Sequence, residues 1–367
     1  KAMKAINIPI IIPTYEPDQR LIDLLAELMD KNIGPVVIVN DGSGHEYDRY
    51  FEKAEELIAP LNGMILKHDI NKGKGRALKD AFLFLLNNNP DLIGCVTADS
   101  DGQHTPECIE KVQRELMEHP SDLILGVREF DGPEVPNKSR MGNKLTRKVL
   151  RFLCGVKVSD TQTGLRGISR EFMKELVDVP GERFEFETRM LVYSKDKVRI
   201  REVEIETVYD SKENHSTHFN PVRDSIRIYK IFGGIFLKFL LSSLSSCVID
   251  LGLFYLLCKA LKSGSNGVIY VMYATIGARV VSATYNFLVN YILVFKSKEG
   301  HVKSAIKYIV LAVAQMMLSA GLVTLFAEIF PNAQELLIKI PVDVLLFFCS
   351  YYLQHEYVYR NRKAVLG

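Results

Sequence analysis

The chain has 367 residues, room for about two domains, and 46 Lys plus Arg against 44 Asp plus Glu leave a formal charge of only +2. So even a balance gives no reason to expect nucleic acid as a partner. The six cysteines (Cys95, Cys108, Cys154, Cys247, Cys258 and Cys349) have no Cys-x-x-Cys spacing, which points to reduced packing residues and away from a disulfide framework or zinc site. Composition shifts along the chain: charges are frequent before about residue 220, and long apolar stretches dominate after about 230.

Ile8–Ile12 is a short β-branched run closed by Pro13 and reads as a buried first strand, too short for a signal peptide. A helix follows, with Leu21, Leu24, Leu25 and Leu28 on one face. Val36–Val39 is a second buried strand, ending in Asn40-Asp41-Gly42-Ser43-Gly44. An amphipathic helix over Tyr47–Ile58 leads to a third strand, Met64–Lys67, and then to Asn71-Lys72-Gly73-Lys74-Gly75-Arg76 and a helix through Leu86. The run Leu92–Ala98 is the fourth strand; a helix over Pro106–Glu118 and a strand over Leu123–Val127 follow. Alternation at these lengths predicts an α/β, Rossmann-like domain with a mostly parallel sheet and helices on both faces.

Ligands of such sheets bind outside the carboxyl ends of the strands. The fourth strand delivers Asp99-Ser100-Asp101-Gly102-Gln103-His104 there. Asp99 and Asp101 fall on one side of an extended backbone, and hard oxygens of this kind suit Mg²⁺ or Mn²⁺ held together with substrate phosphates. An Asp-x-Asp taken alone is equally a turn or capping pair. Asp41 and Ser43 can bond a base or ribose, or simply form an Asp-Gly turn. The Lys72 and Lys74 loop places amides and cations at a helix N-terminus, where a diphosphate or plain solvent fits. It lacks P-loop spacing.

Together, Pro13-Thr14-Tyr15-Glu16, Asn40-Asp41-Gly42-Ser43, Asn71-Lys72-Gly73-Lys74-Gly75-Arg76-Ala77 and Asp99-Ser100-Asp101-Gly102-Gln103-His104 resemble, in order and spacing, the inverting family 2 glycosyltransferases of GT-A fold. The subgroup they are most similar to is the polyprenyl- and dolichol-phosphate hexose synthases. The resemblance implies that a hexose passes from a nucleotide sugar (UDP-glucose, another UDP-hexose or GDP-mannose) to undecaprenyl or dolichyl phosphate with inversion. It also implies that Pro13, Tyr15, Glu16 and Asp41 bind the nucleoside, and that Asp99, Asp101 and Gln103 surround the metal and diphosphate. Ser100 and Gly102 depart from the residues usual in that motif, which leaves the donor open.

Beyond Val127 come Arg128, Lys138, Arg140, Lys144, Arg147, Lys148 and Arg151, with Met141, Leu145, Val149 and Phe152 at helical spacing among them. A basic amphipathic helix of this kind lies in a membrane interface or packs on the sheet. Arg128 and Arg140, with Lys144, are the expected clamp for an acceptor phosphate. Asp160-Thr161-Gln162-Thr163-Gly164-Leu165-Arg166-Gly167 is also family-like and in relatives lies between donor sugar and acceptor. It puts Gln162 near that phosphate and Asp160 at the reaction centre, as base, sugar ligand or turn cap. Arg183-Phe184-Glu185-Phe186-Glu187 opens a further helix, with Glu187 facing the sugar or capping the helix, and Ser216, His218 and Arg223 lie in a loop able to close over the donor.

Pro221–Lys230 reads as a second interfacial helix. Four apolar stretches follow, Ile235–Leu257, Val268–Phe295, Ile306–Phe330 and Leu336–Tyr357, each near the ~20 residues needed to span a bilayer, with Pro331 and Pro341 at the last connection. Lys296, Lys298, Lys303, Lys307, Arg360, Arg362 and Lys363 place both ends of this block in the cytoplasm. The expected layout is a cytoplasmic catalytic domain over residues 1–219, a linker helix over 220–232 and a membrane domain of about four helices over 233–367, multi-pass in the cell membrane. By hydropathy and by Arg279, Asn286, Asn290 and Gln354, the last block resembles the GtrA-like membrane domains, for which lipid translocation has been proposed. A processive polymer synthase is disfavoured, because no Gln-x-x-Arg-Trp is visible and the chain has no tryptophan. A lipid-linked sugar flippase or scaffold with a nucleotide-sensing domain is the alternative, and a homo-oligomer is compatible with either.

Overall fold

A computed structural model of the protein describes residues 8–128, 137–195, 197–206, 221–261, 269–297, 299–330 and 335–359. Its backbone clusters into two compact units: the chain up to Arg151 with Val156–Tyr229, and Phe152–Gly155 with Lys230–Arg362.

In the first unit the described residues form one seven-stranded sheet, ordered β3-β2-β1-β4-β6-β5-β7. Strands β1 (Ile10–Thr14), β2 (Val36–Asn40), β3 (Met64–Lys67) and β4 (Gly94–Thr97) are parallel to one another, with Ile12 beside Ile38 and Ile10 beside Val96. Strand β6 (Arg166–Ser169) runs antiparallel between β4 and β5 (Leu123–Arg128), and β7 (Ile200–Ile205) is parallel to β5. The mostly parallel GT-A-like sheet is therefore present.

The helices form where local chemistry starts them and the core holds them. Asp18 caps α1 (Gln19–Asp30) by accepting the Arg20 amide, and Leu21, Leu24, Leu25 and Leu28 are all buried. Each such leucine stabilises the fold by about 1.5–3 kcal/mol. Helices α2 (Asp48–Ile58) and α3 (Lys74–Asn88) follow β2 and β3. Thr105 caps α4 (Pro106–Glu118), accepting the Cys108 amide, with Pro106 in the first turn where its missing N–H costs nothing. The basic helix is α5 (Asn137–Cys154); α6 (Arg170–Leu176) and α7 (Glu185–Ser194) complete the unit.

The second unit is helical. Helix α8 (Pro221–Leu261) is continuous, so the stretch expected as an interfacial helix runs unbroken into the first apolar segment. Helix α9 (Ile269–Val289) ends in a π-helical turn, Asn290–Val294; α10 is His301–Ile329. Helix α11 (Glu335–Leu353) ends in a second π-helical turn, Gln354–Val358. Pro341 lies inside α11, not in the connection before it. A proline inside a helix gives up one backbone bond, a loss that membrane helices tolerate because neighbouring groups re-satisfy it.

Phe236–Leu261 and His301–Ser319 are long and apolar enough to cross a membrane. On α8, Leu237, Leu241, Leu244, Val248, Leu251 and Tyr255 all stand exposed, a stripe that hydrocarbon solvates and water does not.

Candidate active site

The loops that leave β1 and β2 are laced together. The Glu16 amide donates to Ser43 Oγ at 2.9 Å, and the Ser43 amide donates to Asn40 Oδ1 at 2.9 Å. Tyr15, bonded to Glu16, has its phenol pushed above the usual tyrosine range by that bond and then by burial. Pro13, Tyr15, Glu16 and Ser43 thus sit at one sheet edge, half-buried.

Asp41 is buried and fully engaged. It accepts from His68 Nδ1 at 2.8 Å, from the Lys72 amide at 2.9 Å and from the Gly73 amide at 2.7 Å. Those amides shape the loop instead of standing open to a diphosphate. Gly73, at φ +102°, allows it: a Cβ there would lie 2.4 Å from the Glu182 carbonyl oxygen. The Lys72 side chain is exposed, but Lys74 turns inward.

The Lys74 ammonium lies 2.6 Å from Asp99 Oδ1 and 3.0 Å from Glu187 Oε1. Burial alone would lower its pKa, yet the two carboxylates hold it above the usual lysine range. Burial pushes Asp99 up, but Lys74 and His104 hold it well below the usual carboxylate range. His104 Nε2 stands 3.9 Å from Asp99 Oδ2. Asp101 goes the other way: burial, and then the charge of Asp99, raises it, while the Gln103 amide donates to its Oδ1 at 3.1 Å. Asp99 and Asp101 therefore repel each other across a half-buried loop, an arrangement that a hard divalent cation relieves. Among the described residues no cluster of three His, Cys, Asp or Glu side chains is arranged to hold a metal alone. The donor set fits Mg²⁺ or Mn²⁺ only as a shared site completed by phosphate oxygens and water.

A third element closes the floor. The Thr97 hydroxyl donates to the Gly164 carbonyl at 2.8 Å, and a Cβ on Gly164 would lie 2.2 Å from Asp99 Oδ2. Gly164→Ala is expected to displace the Asp99 carboxylate and to destabilise the domain by about 1–3 kcal/mol, which chemical denaturation would read. Arg166 is buried behind this floor, donating to the Thr163 carbonyl at 2.9 Å and to the Glu187 carbonyl at 2.7 Å.

Asp160 is completely buried. The Arg128 guanidinium grips it in a fork, Nε to Oδ2 at 2.7 Å and the second nitrogen to Oδ1 at 3.1 Å, and the Gln162 amide donates to Oδ1 at 3.0 Å. Asn143 of α5 ties the same loop, donating to the Ser159 carbonyl and accepting from the Thr161 amide and hydroxyl. The structure thus brings together Asp99, Asp101, Gln103 and Lys74 in one cluster, and Arg128, Asp160 and Gln162 in another. Lys144 is exposed on α5; the Arg140 side chain and the whole of His218 lie outside the described residues. Glu187 was anticipated only as a sugar or capping residue, and Asn143 and Arg166 were not singled out as partners. Their roles depend on contacts across 16 positions (Asn143 to Ser159), 21 (Arg166 to Glu187) and 113 (Glu187 to Lys74), which no local pattern carries.

The family 2 glycosyl transferase model matches residues 10–177, and the GtrA/DPMS transmembrane domain model matches residues 237–363. The chain carries a family 2 glycosyltransferase domain and a GtrA/DPMS transmembrane domain. An uncharacterised protein of Methanocaldococcus jannaschii is 28% identical over 205 residues, covering 54% of this chain and 81% of its own. The UDP-N-acetylglucosamine–dolichyl-phosphate N-acetylglucosaminyltransferase of Methanococcus voltae is 29% identical over 215 residues, 54% of this chain and 85% of its own. The dolichol-phosphate mannosyltransferase of Pyrococcus furiosus is 31% identical over 134 residues, 36% of each chain. In this glycosyltransferase domain the paired aspartates lie just beyond the carboxyl end of β4.

Proposed function

We propose that the protein transfers a hexose from a nucleotide sugar to a polyprenyl phosphate, with inversion at the anomeric carbon, on the cytoplasmic side of the cell membrane. The observation that carries the reading is one chain joining a family 2 domain, its aspartate pair at the carboxyl end of β4, to a GtrA/DPMS membrane domain. Two of the relatives named above act on dolichyl phosphate by name and differ in sugar, so the acceptor is better supported than the donor.

An acceptor phosphate monoester is largely ionised at neutral pH, with a second pKa of about 6, and needs no strong base. One of its oxygens forms the new bond to the anomeric carbon as the bond to the donor's β-phosphate breaks, and the nucleoside diphosphate leaves. Asp99 and Asp101 are the residues that would hold a Mg²⁺ or Mn²⁺, which when bound would supply neutralisation of the diphosphate charge. Lys74 fixes Asp99 in place and adds a positive charge at the same edge. Arg128 faces the acceptor phosphate, and Asp160, buried against it, acts as its positioning residue. Glu187 orients Lys74 from the opposite side. Catalysis rests on alignment and charge neutralisation.

The test is direct. Protein in nanodiscs, with Mn²⁺ and undecaprenyl or dolichyl phosphate, is given labelled UDP-glucose, UDP-N-acetylglucosamine or GDP-mannose in turn. One donor is expected to label the lipid phase, with a β-linked product from an α-linked donor by NMR. No labelled lipid with any donor would overturn the proposal.

A further inference from the structure

Strand β6 runs against both of its neighbours, so its first residue, Arg166, meets Thr97 at the carboxyl end of β4 and Leu125 of β5. It stands between the strand that leads to Asp99 and the strand that ends in Arg128. Arg166 is 1% exposed. Its Nε donates to the Thr163 carbonyl, in the loop of Asp160, and one amino nitrogen donates to the Glu187 carbonyl of α7. The other amino nitrogen has no hydrogen-bond partner among the described residues. Every oxygen the guanidinium bonds is a neutral carbonyl.

A buried charge with no counter-ion in contact is strongly unfavourable. Burial draws this guanidinium below the usual arginine range, and the carboxylates of Glu187, Asp160 and Asp99, in that order, oppose the shift. Arginine nevertheless keeps its charge in a protein. Those carboxylates already have cations in contact: Lys74 serves Asp99 and Glu187, and Arg128 serves Asp160. Arg166 adds a charge that faces all three. With Asp101 included, four carboxylates then stand against three cations, and the site is one charge negative. A divalent cation would turn it one charge positive, attractive to a nucleoside diphosphate. Without Arg166 the same cation would bring it only to neutrality. Solvent ions screen buried charges weakly, so the difference reaches the ligand.

We propose that Arg166 is a positioning residue for the transfer. It ties the Asp160 loop to the helix that carries Glu187, and its charge sets the balance that lets the cation-loaded aspartate cluster attract the diphosphate. The inference rests on the reading of the active site given above. Its signature is opposite in sign for two ligands. Removing the charge tightens the hold on a divalent cation and weakens the hold on a nucleotide, whereas loss of a purely structural group weakens both.

The full chain in phosphatidylcholine nanodiscs is titrated with Mn²⁺ alone, read by the electron paramagnetic resonance of the free ion. It is then titrated with UDP and with GDP at saturating Mn²⁺, read by calorimetry. Arg166→Gln is expected to bind Mn²⁺ about threefold or more tightly than the native chain, and its nucleotide about tenfold or more weakly. Arg166→Met, which fills the buried volume without a charge, should behave in the same way and stands in where the glutamine variant does not fold. Arg166→Lys, which keeps the charge and loses the fork, should return both affinities to within about threefold of native. Weaker Mn²⁺ binding in the neutral variants, affinities equal to native, or a lysine variant no better than glutamine would overturn the proposal. Failure of both neutral variants to fold would assign Arg166 to the fold alone and overturn it too. A native chain that binds neither Mn²⁺ nor a nucleotide would remove the active-site reading and this proposal with it. Equal affinities in native and variant chains would remove only the role of Arg166.

Discussion

Asp101→Asn is expected to lower transferase turnover by ~10³-fold, about 4 kcal/mol of transition-state stabilisation, with little change in fold stability. Asp101 is disfavoured on balance as an anion: burial and then the neighbouring Asp99 charge raise it, and they outweigh the Gln103 amide and the charges of His104 and Lys74, which lower it. A residue held at such a disadvantage is retained for what it binds, so its removal should relieve the fold and cripple the chemistry. Asp99 is the contrast. It compensates the Lys74 ammonium, so Asp99→Asn should reduce both activity and melting temperature. Chelation with EDTA should abolish turnover in the native chain, with recovery on adding Mn²⁺ or Mg²⁺, and should add nothing to the loss in Asp101→Asn. Activity of Asp101→Asn within tenfold of the native chain would contradict the assignment.

Much of the first domain is written locally. Thr105–Glu118 holds a cap, a first-turn proline and apolar spacing in fourteen consecutive residues, and the helix is found over Pro106–Glu118. The strand β2 likewise follows from a short β-branched run, and β3 from the apolar Met64-Ile65-Leu66. Strand β6 was hidden for a physical reason: Arg-Gly-Ile-Ser has little β-propensity, and its place is set by pairing with β4 and β5 on either side. The inward turn of Lys74 was hidden as well. A basic, glycine-rich loop reads as solvated or phosphate-facing until Glu187, 113 positions on, and Asp99, 25 positions on, are seen to converge on the ammonium. Pro341 misled because proline marks a break in water, whereas in the helical unit it is absorbed within α11. The long-range pairs carry the site, and they are what spacing cannot show.

Asp160→Ala is expected to destabilise the glycosyltransferase domain by about 3–5 kcal/mol, because it strands the Arg128 guanidinium beside a buried gap. The carboxylate is fully buried and takes two guanidinium bonds and the amides of Arg128 and Gln162, so its loss removes four hydrogen bonds at once. Thermal unfolding of the detergent-solubilised chain would show a large fall in melting temperature. Asp160→Asn keeps the shape and one acceptor, and should cost less. The same pair decides the chemistry assigned to Asp160. If it holds Arg128 toward the acceptor phosphate, Asp160→Asn raises KM for the polyprenyl phosphate and leaves the pH profile of kcat in place. A general base would instead leave KM alone and flatten the acidic limb of that profile. Arg128→Lys sharpens the contrast, because an ammonium cannot make the planar fork. Combined with Asp160→Asn in a double-mutant cycle, it should show coupling well above the few tenths of a kcal/mol expected for independent sites. Additive effects would mean that the carboxylate and the guanidinium act separately and that the fork has no part in placing the acceptor.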